Sequence, residues 1–98
     1  MTEIEQLQKI IKDLHGCDSR HLGSIRVIET FQGRDPWEGI VEVFFLIHYP
    51  QAKEAYAWSY KGDNGEVEYV AILGIPPVES PSDAVRTHIA AEGQKQIK

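Results

Sequence analysis

Four residues crowded into "HGCDSRH" carry side chains able to do chemistry: His15, Cys17, Asp18 and His21. All four are zinc-ligand types. A structural zinc takes four ligands, usually as two closely spaced pairs. The remaining histidines, His48 and His88, fall on other elements, so no metal site and no cofactor is expected. A Cys17–His21 nucleophile pair is the other chemical reading. A reactive thiolate needs a helix amino terminus or a nearby cation to lower its pKa. Cys17 instead follows the carboxyl end of a helical segment, where the helix dipole opposes negative charge. Arg20 and His21 could offset that, so a thiol activity stays open as a minor alternative. No catalytic residue is assigned, and the expectation is a protein that is not an enzyme. Glu29, Glu38 and Glu42 could meet across a hairpin, yet carboxylates on open strand positions are ordinarily solvated. "GDNG" (62–65) lacks the lysine and the strand-to-helix context of a phosphate loop.

The second group is aromatic. In "AYAWSY" (55–60), Tyr56, Trp58 and Tyr60 share one side of a strand, opposite Ala55, Ala57 and Ser59. Such a row is either a core or a stacking platform for single-stranded nucleic acid, which Lys53 and Lys61 would then support. Trp37, in "DPWEG", either folds back over the sheet or stands out as an interface anchor.

The elements that would position these groups follow from period and punctuation. Ile4, Leu7, Ile11 and Leu14 recur at helical spacing over 2–15. Thr2 with Glu5 makes a capping box, and Gly16 can end the helix in the left-handed region. His15 is placed to meet the last helical carbonyls. The period then changes to two. Strands are expected over 24–31, 40–48, 55–61 and 66–75, with a turn over 32–39 and a break at Pro50. Asn64-Gly65 suits a hairpin turn. Pro76 and Pro77 stop the sheet. Ser80 and Pro81 open a second helix over 81–93, with Ala84, Val85, His88 and Ile89 as its stripe and a frayed tail over 94–98. The result is one α+β domain over 1–98: helix, an antiparallel meander of three to four strands, helix. One sheet face is expected to receive both helices.

A hairpin loop of two or four residues at "GDNG" puts Val67, Tyr69, Ala71 and Leu73 beside the aromatic row. Glu66, Glu68, Val70 and Ile72 then join Ala55, Ala57, Ser59 and Lys61. Only a loop of odd length would exchange the two sets. Burying an unpaired charge costs more than exposing a tyrosine edge, so the rings are assigned to the interior. "VEVFFLI" becomes apolar on both sides, as a strand covered on both faces does. Phe44 and Leu46 would then meet Val70 and Ile72 in an outer patch, with Trp37 nearby. Contiguous patches of this kind mark association surfaces. On this reading Leu46→Glu shifts the protein to monomer without unfolding it. The "SRHLGS" loop or the chain tail covering the patch is the competing reading.

The order of elements resembles the double-stranded-RNA-binding fold. That family's second helix opens with a lysine-rich phosphate clamp. Here the matching stretch is "SPSDAVRTH", with Arg86 and an aspartate, so the resemblance does not extend to RNA binding. Composition bounds the rest. The 98 residues are 42% hydrophobic and 26% charged, as a folded domain is, with net charge −5. An acidic balance works against nucleic acid. One cysteine excludes an internal disulfide, and the longest apolar run is too short to span a membrane. The amino terminus lacks the pattern of a signal peptide, so the expected location is the cytoplasm. The functional expectation is a non-enzymatic interaction or regulatory module that binds a protein partner or itself, as a homodimer. Nucleic-acid binding through Tyr56, Trp58 and Tyr60 is the alternative.

Overall fold

Thr2 and Glu5 begin the first helix by satisfying each other's free donors. The Glu5 N–H donates to Thr2 Oγ1 at 3.1 Å and the Thr2 N–H to Glu5 Oε1 at 3.0 Å. This closes the capping box of α1 (Glu3–His15). Gly16, at φ 75°, ends the helix with its N–H on the Lys12 carbonyl at 2.8 Å. Leu7 and Ile11 are fully buried and Ile4 packs beside them, whereas Leu14 is exposed. His15 faces the sheet in the last turn instead. Its Nε2 lies 3.1 Å from the Ala71 carbonyl oxygen, so it bridges to a strand rather than to its own helix.

The computed structural model describes residues 2–30, 36–62 and 64–96. The start of the expected 32–39 turn and the end of the expected 94–98 tail lie outside the described residues. Within them the chain forms an α+β fold in the order α1, β1 (Asp18–Glu29), β2 (Trp37–Ile47), β3 (Glu54–Lys61), β4 (Val67–Leu73) and α2 (Pro81–Gln96). The four strands form one antiparallel sheet in the order β1-β2-β3-β4. β1 begins at Asp18, so "SRHLGS" is strand and not loop. Its polar side chains hid it, and a register shift between His21 and Gly23 breaks its alternation. Trp37 to Gly39 likewise belong to β2 rather than to a turn. β2 ends at Ile47, and His48 after it takes the left-handed φ of 55°. α2 runs on through Gly93 to Gln96. Ser80 caps it, accepting from the Asp83 N–H at 3.2 Å.

The helices do not share a face. α1 packs on Phe44, Leu46, Ala55 and Ala57, while α2 lays Ala84 and Val85 on Val41, Tyr56 and Trp58. Side-chain size on β3 explains the arrangement. Ala55 and Ala57 allow α1 to approach closely, and the rings opposite fill the space beneath α2. β2 is therefore apolar on both sides because both sides are covered. The likeness to the double-stranded-RNA-binding fold is limited to element order. No helix among the described residues is long and apolar enough to cross a membrane.

The β3–β4 hairpin sets which residues of β4 face which helix. Trp58 pairs with Val70, Tyr56 with Ile72 and Lys61 with Val67. Gly62 and Glu66 close the loop, with the Gly62 N–H on the Glu66 carbonyl at 2.8 Å. The Gly65 N–H returns to the Gly62 carbonyl at 3.0 Å, and Gly65 takes φ 78°. With Gly62 bonded to Glu66, the loop between them holds an odd number of residues. The expected face assignment of β4 is thereby exchanged. Val70 and Ile72 join the aromatic row under α2, while Val67, Tyr69, Ala71 and Leu73 share the α1 face.

Candidate functional site

The aromatic row is interior. Trp58 is 1% exposed and Tyr56 is buried, closed by α2 on one side and by Trp37 on another. Trp37 meets Trp58 edge to face at 5.8 Å between ring centroids. Gly39 makes room for this, since a Cβ there would stand 3.0 Å from the Trp37 ring. Trp37 is thus a lid on the core and not an outer anchor. His88 of α2 lies edge-on to Trp58 at 5.7 Å and tilted on Tyr60 at 5.3 Å. The Trp58 indole N–H has no hydrogen-bond partner among the described residues. The Tyr56 hydroxyl donates to Glu54 at 3.4 Å. Burial pushes its pKa above the ordinary phenol value, and the carboxylates of Glu54, Asp83 and Glu79 push it further. Tyr56 and Trp58 cannot act as a stacking platform from this position. Lys53 and Lys61 lie apart, at opposite ends of β3.

The expected outer patch is not assembled. Phe44 and Leu46 are buried beneath α1, and Val70 and Ile72 lie on the other side of the sheet with α2. The odd loop separates them. A different set of apolar residues is open instead. On the α1 side, β1 and β2 carry Arg26 opposite Ile40 and Ile28 opposite Glu38, while β3 and β4 carry Ser59 opposite Tyr69 and Lys61 opposite Val67. Strand alternation from the Glu42–Ala57 pair puts all eight on one face. The amino-terminal end of α1 reaches only to Ser59, whose hydroxyl donates to Glu3 at 2.5 Å. Beyond that point Ile28 (55%), Ile40 (49%), Val67 (55%) and Tyr69 (36%) remain exposed. Arg26 is ion-paired with Glu38 on the same surface. The signal that could have found this surface is "GDNG" read as a turn ending in a left-handed glycine, which flips β4.

No protein-family model, curated protein or solved structure matches the chain.

The chemically suggestive groups of the sequence, Cys17, His21 and the three glutamates, do not converge on one site. Cys17 is buried beneath α1. Burial raises its thiol pKa, Asp18 adds to that, and Lys12 opposes it. His21 lies four residues further along an extended strand, about 13 Å away at strand spacing, and does not reach it. Its Nε2 is 2.8 Å from Glu42 Oε1, and its ring leans on Phe44. Ser24 donates to the same carboxylate oxygen. These bonds let Glu42 lie buried at the margin of the α1 core. The three glutamates do not meet: Glu38 pairs with Arg26, Glu42 with His21, and Glu29 with Arg86 of α2. Among the described residues no group of three or more His, Cys, Asp or Glu could hold a metal ion.

Proposed function

We propose that this protein is an interaction module that associates with a second copy of itself through the uncovered half of its α1-side sheet face. The observation that carries this reading is the exposure of Ile28, Ile40, Val67 and Tyr69 on one face, past the end of α1. Their burial is favourable in proportion to apolar area. Charge supports a second copy as the occupant. The chain as a whole carries −5 and repels itself. This face instead holds two cations, Arg26 and Lys61, with two carboxylates, Glu38 and the Glu3 that reaches Ser59. A two-fold axis can set each sign against the other, as an isologous interface requires.

Sedimentation of the parent and of Ile40→Glu tests this. The parent is expected to be dimeric at micromolar concentration. The variant is expected to be monomeric with an unchanged circular dichroism spectrum, because Ile40 is half exposed. A monomeric parent, or a variant that stays dimeric, overturns the proposal.

A further inference from the structure

A concave site lies at the far end of the molecule, where the chain turns between β2 and β3. The Leu46 N–H donates to the Lys53 carbonyl at 2.8 Å and closes the neck of the loop. Ala52 is buried and Tyr49 packs beside it against the α1 core, so the loop is pinned from within. His48 at the rim holds φ 55°, a backbone conformation that non-glycine residues adopt at a cost. The result is an open cavity of about 590 Å³ bordered by Phe45, Leu46, His48, Tyr49, Ala52 and Lys53. That volume falls in the range of small-molecule sites.

The charge at this cavity opposes that of the chain. Lys53 lines it, and the Arg20 guanidinium lies 5.4 Å from the centroid of the Phe45 ring. Among the described residues no carboxylate lines it, and the nearest on the ladder is Glu54, which pairs with Phe45. Among the described residues no carboxylate is ion-paired with Lys53 or Arg20. Phe45 and Tyr49 supply the apolar walls, with Leu46 and Ala52 buried behind them; Lys53 stands at the margin and Arg20 lies over the Phe45 ring.

The geometry points to a binding site for a small, flat, apolar carboxylate. Its body lies against Phe45 and Tyr49, and its negative charge meets Lys53 and Arg20. The site is separate from the self-association face and does not depend on it.

Titration of the isotope-labelled protein with 2-naphthoate and with its neutral amide tests the assignment. Amide-proton shifts are expected at 45–53 and at Arg20, with the acid binding several-fold tighter than the amide. Lys53→Gln should weaken the acid about threefold to fivefold, the scale of one exposed ion pair, and leave the amide unchanged. Added salt should weaken only the acid. Lys53 is exposed, so the variant keeps its fold. Equal binding of acid and amide, shifts centred elsewhere, or no shift at millimolar ligand overturns the proposal.

Discussion

Leu46 separates two accounts of the sheet, because it was expected at the surface and is 2% exposed beneath α1. Leu46→Ala removes a side chain packed in the cluster with Leu7, Ile11 and Phe44. Leucine truncation in a core costs about 2–5 kcal/mol. A domain of this length has total stability of roughly 5–15 kcal/mol. With a urea dependence of about 1–3 kcal/mol per molar, a 3 kcal/mol loss lowers the midpoint by about 1–3 M. Leu46→Glu adds the desolvation of a carboxylate and should leave little folded protein. Ile40→Glu, on the open surface, should stay within about 0.5 kcal/mol of the parent at dilutions where association does not contribute. The assay is urea unfolding followed by far-ultraviolet circular dichroism on all four proteins. A Leu46→Glu variant with the parent's midpoint would refute the placement of α1, and with it the two-faced core.

Gly65→Ala meets open space but must hold φ 78° with a Cβ. It should lose about 1–2 kcal/mol in the same urea assay, the cost of a left-handed L-residue. Cys17 should alkylate slowly in the native protein at pH 8 and rapidly once unfolded, because burial raises its thiol pKa. Fast native alkylation would place the thiol at the surface. The Glu5 carboxyl is held below its ordinary value of 4.5, chiefly by the Thr2 N–H and then by the Thr2 hydroxyl. A folded pKa below the unfolded one contributes stability above pH 4.5 that is lost as pH falls through the folded value. Carbon-detected titration should show Glu5 below 4.5 in the parent and nearer to it in Thr2→Val.

Local chemistry was legible wherever a single short stretch decides the outcome. Thr2 with Glu5, Gly16, and Ser80 before Pro81 placed both helix starts and one helix end. Each is a contest between a side chain and nearby backbone donors, complete within a few residues. The rings of β3 as interior followed from apolar area against charge, whereas Trp37 was left open between a lid and an interface anchor. The start of β1 did not, because Ser19, Arg20 and His21 carry no strand propensity and are held by pairing with β2. The exposed apolar half of the α1-side face was missed for one reason. Its β4 members, Val67 and Tyr69, change sides with one loop residue.

By itself the sequence determined that there are two helices, the first amphipathic, a meander between them, and a third strand with one face of rings and one of small residues. Those are properties of neighbours along the chain, and local sterics and polarity act at that range. Tertiary structure alone decided that α1 takes the alanine side and α2 the aromatic side, and which half of the sheet stays open. Those outcomes depend on strand register and on the reach of a helix across four strands. Hydrophobic burial rewards either face of an apolar strand, so only packing volume and loop parity could choose between them.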